Sequence, residues 1–327
     1  MIRKLFIRLS VAILLIIILC AWELPLWKLK SSGYRKRSSS ENYNNEMKLA
    51  MQEMSKSNFT HFIPIQNLRL KNIFYNRIEK CGSRSLVSVV CNLKRANKFQ
   101  VEKSKVYTNR RLTGEDLKKE KELVIGLTLP TFYERHIFHI NFEEYNDKKP
   151  ILINMVRDPI ERFVSHFSYE KYGDVAMKIS PSFPDREDIN DCISKEIGVC
   201  QKENTMMFNI GLYFCGMSED CLNAFSNKRV EIAKRNIDER YSFIGSAEEF
   251  GTSLQLLEKM FPEFFRKSLH MWKGHHRALN LTATKKKDVL TDESWRKLRY
   301  ELMIHEYEVY HHALRKFINL KGQFGIE

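Results

Sequence analysis

Residues 71–90 read KNIFYNRIEKCGSRSLVSVV, and the polar middle of this stretch concentrates groups suited to holding an oxyanion. Arg77, Lys80 and Arg84 carry positive charge, Ser83 and Ser85 offer hydroxyls, Cys81 lies between them, and Gly82 lets the backbone approach a ligand closely. A second set follows in PILINMVRDPIERFVSHFSYEKYG, residues 150–173, where Arg157 and Ser165 stand around an Asp158-Pro159 pair. Alone, the first set also fits a solvated basic turn between two core elements. The two together favour a site for phosphate or sulfate.

The elements around these residues would position them. Ile73, Phe74 and Tyr75 form a short β-branched and aromatic run, and from Ser85 the chain turns apolar at helical spacing. Strand, tight loop and helix in that order aim backbone N–H groups and the positive end of a helix dipole at one spot. Residues 151–156 are an almost unbroken apolar run, as in a strand buried on both faces of a parallel sheet. Asp158 and Pro159 then read as N-cap and first helical residue. Arg157 is thereby placed at the carboxyl end of a strand, where open α/β sheets bind nucleotides, and Ser165 two turns into the helix adds a hydroxyl.

Residues 74–85 and 154–173 resemble the 5′-phosphosulfate loop and the 3′-phosphate site of Golgi sulfotransferases that use 3′-phosphoadenosine 5′-phosphosulfate (PAPS). Among these, YNRIEKCGSRS and INMVRDPIERFVS are similar to the 2-O-sulfotransferases acting on uronic acids of glycosaminoglycans. The KCGSR form resembles the uronyl 2-sulfotransferase and Pipe branch more than the heparan sulfate branch. The similarity runs from about Asn72 to Phe317. It implies an α/β fold, the P-loop-like PAPS-dependent sulfotransferase fold, with a central parallel sheet flanked by helices. It further implies PAPS as sulfuryl donor with no metal, Lys80 as a catalytic cation, and a type II Golgi protein with its domain in the lumen.

The formal charge of +14 and a pI near 9.3 predict a polyanionic partner: nucleic acid, anionic lipid or sulfated polysaccharide. Charge alone does not choose among these, and no nucleic-acid-binding motif is visible; the resemblance implies a sulfated polysaccharide acceptor, the N-terminal anchor a membrane contact, and homo-oligomerisation stays open. Arg3, Lys4 and Arg8 precede an uncharged run, residues 9–22, with Trp22 and Trp27 suited to an interface. A cleaved signal peptide fits the template too, but no small-x-small cleavage site follows. The expected layout is a cytoplasmic tail at 1–8, a signal anchor at 9–27, a stem at 28–68 with a helix near residues 46–56, and a lumenal domain at 69–327. Asn58 and Asn280 begin glycosylation sequons.

Residues 112–121 suit a helix and 123–129 a strand leading into FYERHIFH. Sulfuryl transfer to a hydroxyl needs a base near neutral pH, and histidine titrates there. A lone histidine beside aromatics is more often a core residue, but His136 matches the catalytic base of the resembled family. The heparan sulfate branch has a histidine where this chain has Glu134, a carboxylate expected to raise the His136 pKa and to move the acid limb of activity upward from about 6.5.

Four cysteines fall in close pairs, Cys192 with Cys200 and Cys215 with Cys221. A zinc site competes with disulfides, but short metal-ligand spacings are missing and the family's spacings match two small-loop disulfides. Cys91 reads as a buried thiol. Residues 230–241, 243–245 and 248–260 read as helix, strand and helix, and 294–317 as one long amphipathic helix. Between them, residues 275–287 resemble the family's loop over the cofactor adenine and 3′-phosphate, which implicates Thr284 and Lys286. Arg162 and Lys171 are expected to meet acceptor carboxylates and sulfates.

Two other classes compete with this reading. A P-loop nucleotide kinase shares the strand–loop–helix logic, but GxxxxGK[ST] is missing and Lys80 precedes the glycine. An inactive glycosaminoglycan-binding relative would need charge without His136 and Lys80.

Overall fold

Four short buried runs and one charged run become the strands of one sheet. The computed structural model describes residues 39–54, 71–106, 109–174, 178–201, 204, 207–223, 226–279, 284 and 286–326, with the side chains of 39–42, 53–54 and 275–279 excepted. The strands are β1 (Ile73–Asn76), β2 (Gln100–Lys103), β3 (Thr131–Arg135), β4 (Ile151–Val156) and β5 (Tyr241–Ser246), in the order β2-β3-β1-β4-β5. Every pairing is parallel. Every residue of β1, β3, β4 and β5 is buried, as expected of a parallel sheet covered on both faces. The charged strand β2 forms an exposed edge, which discourages pairing with another chain.

The covering helices are α1 (Ser39–Met54), α2 (Ser83–Asn97), α3 (Gly114–Ile125), α4 (Pro159–Tyr172), α5 (Asn227–Glu239), α6 (Phe250–Met260) and α7 (Ile304–Gln323), with shorter helical pieces between them. Helix α2 buries Leu86, Val87, Val89, Val90 and Leu93 on one side. Helix α4 starts as its sequence dictates, the Asp158 carboxylate accepting from the Glu161 N–H at 2.9 Å and Pro159 filling the first turn.

Asn76, the last residue of β1, ties three strands together. Its Nδ2 donates to the Tyr213 carbonyl (2.9 Å), while its Oδ1 accepts from Asn154 on β4 (3.0 Å) and from the Tyr241 hydroxyl on β5 (3.0 Å). A fully buried amide satisfied this way fixes where β1 stops and the loop begins.

Several expectations change. The apolar residues at 123–125 end helix α3 instead of forming a strand, and the strand starts later, at Thr131. A short apolar run does not distinguish the two by period, and Glu115 and Asp116 in the first turn favour the helix. The long C-terminal helix is broken. Residues 292–297 are helical, Leu298–Leu302 make a π turn, and α7 begins after Met303. The extra residue in that turn lets Leu302 and Met303 both be buried and brings Glu306 inward to accept from the Ile210 N–H at 2.6 Å. His305, in the first turn of α7, is only half-buried. Cys91 is a half-buried free thiol, and the buried free thiol is Cys81.

Helix α1 lies within the stretch read as a stem, and it packs against α7. The Glu46 carboxylate, buried, meets His311 Nε2 at 2.5 Å and Arg299 at 3.1 Å, and the Tyr43 hydroxyl donates to Glu249 at 2.8 Å. No helix among the described residues is long and apolar enough to cross a membrane; the expected anchor at 9–27 and the sequon at Asn58 lie outside the described residues. So does the backbone of Asn280.

Candidate functional site

The parallel register places the site. Asn76 on β1 is the Cα partner of Arg135 on β3, so the next residues along each strand, Arg77 and His136, emerge side by side at the carboxyl edge. The Arg77 N–H donates to the Arg135 carbonyl at 3.0 Å. In return His136 Nδ1 lies 2.9 Å from the Arg77 carbonyl, which can only accept, so the ring proton sits on Nδ1 and Nε2 carries the lone pair. On the other side of β1, Val156 ends β4 and Arg157 follows.

Between Arg77 and helix α2 the backbone turns through two left-handed residues, Lys80 (φ 64°) and Gly82 (φ 73°). Glycine takes that conformation without strain, whereas Lys80 does not. Lys98 and Glu196 take the same conformation at helix ends, so at Lys80 it fixes the shape of the turn. Cys81 between them is fully buried. Burial pushes its thiol pKa up to about 12, so its contribution is backbone and packing, not nucleophilic chemistry.

Four cations meet at this loop. Arg157 Nη1 donates to the Lys80 carbonyl at 3.3 Å and Nη2 pairs with Glu161 at 3.2 Å. The Lys80 ammonium stands over the Tyr169 ring of α4, and Arg84 bonds the Tyr169 hydroxyl at 3.2 Å and faces Asp174 at 3.7 Å. Burial first, then Arg84 and Arg157, lower the Lys80 pKa to about 8, with Lys287 adding to the same repulsion. Lys287 keeps its side chain exposed overall, and partial burial and Arg157 hold its pKa below the ordinary lysine range. Ser83 and Ser165 are buried and Ser85 half-buried, on α2, α4 and α2 respectively.

Lys287 arrives on a strap that crosses α4. Thr284 bridges Asp174, and Asp288 accepts from Ser168 (3.1 Å) and from the Tyr172 hydroxyl (2.7 Å). Lys286 is exposed, 5.3 Å from the Tyr172 ring centroid. Sequence reading placed Thr284 and Lys286 at the site and passed over Lys287, whose signal was only its place in a lysine run.

Around His136 the structure adds three residues that sequence reading did not single out. Glu79 Oε1 lies 3.5 Å from His136 Nδ1 and 2.5 Å from Arg110 Nε, and its Oε2 accepts from the Tyr213 hydroxyl at 2.8 Å. Burial alone would raise the Glu79 pKa, but His136 and Arg110 hold it down to about 2. Burial lowers the His136 pKa to about 4, Glu79 opposing and Arg77 and Arg110 assisting. Glu134 does not face His136: its carboxylate pairs with buried Arg77 Nε at 2.9 Å. The expected upward shift from Glu134 is therefore replaced by a downward one from burial. Arg77 lends the site its carbonyl, with its guanidinium turned to Glu134.

The expected acceptor contacts change too. Arg162 is fully buried, donating to the Met207 carbonyl at 2.9 Å and to Asn209, and Lys171 donates to the Glu187 carbonyl at 2.8 Å. Cys192–Cys200 and Cys215–Cys221 are disulfides.

A cation-lined strand–loop–helix beside a largely buried imidazole, at the carboxyl edge of a parallel sheet, could hold an anionic group next to a base. The chain belongs to the Sulfotransferase family, whose sequence profile matches residues 69–313. It is 34% identical over 268 residues to uronyl 2-sulfotransferase of Homo sapiens, covering 78% of this chain and 64% of that relative. The Mus musculus protein of the same name is 33% identical over the same shares. Heparan sulfate 2-O-sulfotransferase 1 of Gallus gallus is 30% identical over 257 residues, covering 75% of this chain and 70% of the relative. The chain thus spans just under two thirds of the length of the uronyl relatives.

Proposed function

We propose that this protein transfers a sulfuryl group from PAPS to the 2-hydroxyl of a uronic acid residue in a glycosaminoglycan. The observation that carries the reading is the placement of His136 beside a loop whose lysine and arginines repel one another. Cations crowded together with burial enough to depress a lysine pKa are relieved by a bound polyanion. The family and the names of the relatives point to the same donor and acceptor.

The residues present fit PAPS. Backbone N–H groups of residues 80–85, with Lys80, Arg84, Ser83 and Ser85, would hold the phosphosulfate, and Arg157, Ser165 and the strap residues Thr284 and Lys287 the nucleotide phosphates. When bound, PAPS supplies the sulfuryl group and the adenosine phosphate that leaves. His136 takes the hydroxyl proton at Nε2, because Nδ1 is committed to the Arg77 carbonyl. Lys80 neutralises charge on the oxygen that departs with the nucleotide, a role worth a few kcal/mol, about 3, in comparable sites.

The same proposal places the domain in the Golgi lumen behind a type II anchor at residues 9–27. Two disulfides suit an oxidising compartment.

The deciding experiment supplies labelled PAPS and a panel of desulfated glycosaminoglycans, with the position of sulfate assigned by disaccharide analysis. Sulfate on uronic acid O2 is the expected result. Binding of the polysaccharide with no transfer to any acceptor would leave an inactive glycosaminoglycan-binding relative.

A further inference from the structure

The loop between Arg77 and Lys80 holds one acidic residue in a run of cations, and the proposed transfer does not account for it. Glu79 is largely buried, at 12% side-chain exposure, beside His136 at 11%. A carboxylate in that position needs a function, because burying it is costly unless it is paired. It is paired three ways: with Arg110 across the site, with the Tyr213 hydroxyl, and with the Nδ1 side of the His136 ring. The remaining charged groups near it are Arg162 and His166 on α4, and those near His136 are Arg77 and Arg110.

We propose that Glu79 is a positioning residue for the general base: with the Arg77 carbonyl it fixes His136 with its proton on Nδ1, and it stabilises the imidazolium formed when Nε2 accepts a proton. This rests on the sulfotransferase reading of the site. In the balanced step, the acceptor hydroxyl proton goes to His136 Nε2, and the hydroxyl oxygen pair forms the new bond to sulfur. The old sulfur–oxygen bond breaks with its pair on the 5′-phosphate. The ring gains one positive charge at that moment, between two arginines that oppose it. Glu79 is the only carboxylate shown within ion-pair distance of the ring among the described residues. Arg110 and Tyr213 hold that carboxylate in place, so little reorganisation accompanies proton transfer.

The test is Glu79→Gln, with Glu79→Asp as a variant that keeps the charge. Expected for Glu79→Gln is a roughly 10- to 100-fold lower kcat, the range typical for loss of a partner that orients a metal-bound histidine. The affinity for 3′-phosphoadenosine 5′-phosphate should change by less than about twofold, and the acid limb of kcat/KM should move to lower pH by about one unit. Glu79→Asp should recover part of kcat and most of the limb. An independent readout needs no acceptor: the ring signals of His136, assigned by loss in His136→Asn, should titrate at lower pH in Glu79→Gln than in the parent. If kcat falls while limb and ring titration stay put, Glu79 is only a latch for Arg110 and Tyr213, and the proposal is overturned. If no acceptor is ever sulfated but the ring titration moves as stated, the pairing stands and the transfer reaction falls.

Discussion

The Lys80 ammonium stands 4.1 Å from the centroid of the Tyr169 ring, and the Arg84 guanidinium shares that ring at 5.5 Å. The aromatic face partly compensates a lysine whose nearest charged neighbours are mostly cations. With its pKa near 8, a fraction of Lys80 is neutral at mildly alkaline pH. A bound anion raises that pKa, so binding of 3′-phosphoadenosine 5′-phosphate should take up protons around pH 8. Affinity should be greatest below that pH and weaken above it. Calorimetry in buffers of different ionisation enthalpy measures the uptake; binding with no proton exchange across this range would show that Lys80 does not meet the nucleotide.

Lys80 and Arg157 should fail differently. Arg157 is linked to the loop through the Lys80 carbonyl and to the strap through its proximity to Lys287. Arg157→Ala should chiefly weaken nucleotide binding, by roughly 10- to 100-fold, the loss expected for a charge-assisted contact. Lys80→Ala should chiefly lower kcat, because its charge matters most as the leaving oxygen develops. Isothermal titration and initial rates on both variants separate the two; equal losses of nucleotide affinity would refute the division.

For His136, burial sets the sign of the pH effect. The depressed pKa means the ring is neutral, and competent as a base, down to about pH 4 in the free protein. The acid limb of kcat/KM should therefore lie well below the ordinary histidine value of about 6.5. The limb of kcat should lie higher, since the donor's negative charge favours imidazolium. His136→Ala should lower turnover at least about 100-fold with nucleotide binding retained. Wild-type turnover in that variant would place the base elsewhere.

Glu46 carries the docking of helix α1. Although burial opposes its ionisation, the hydrogen bond to His311 and the charge of Arg299 hold its pKa below the ordinary carboxylate value. The stabilisation is thus fully present above the unfolded carboxylate pKa and is lost as pH falls through the depressed one. Glu46→Ala leaves the Arg299 guanidinium without its buried carboxylate partner and should cost about 3 kcal/mol. A thermal melt reads it; a melting temperature unchanged from the parent would mean that α1 is not held by this cluster.

The strand–loop–helix around Lys80 and the Asp158-Pro159 helix start were legible because their signals are local: a β-branched run, a glycine, a cap. His136 was legible through resemblance alone, since nothing in its neighbours announces a base. Glu79, Arg110 and Lys287 were not found, because what makes them matter is pairing across chain separations that no local pattern encodes. Glu134 misled for the same reason. Two residues before the histidine, it falls on the same side in a strand's alternation but is captured by Arg77, just past the end of neighbouring β1. The π turn before α7 was invisible because a single inserted residue shifts helical phase without changing composition.

The central position of β1 has a kinetic consequence. Its partners Phe132 and Ile151 lie about 60 and about 80 residues along the chain from Ile73, so both neighbours require closure of long loops before any ladder bond rewards it. Arg77 and His136 come together only when the β1–β3 register is set, and Arg157 joins only when β4 docks. A refolding chain therefore completes the site only after both pairings of β1 are in place. Recovery of nucleotide binding should lag recovery of helical signal, and the slow phase belongs to the middle of the sheet.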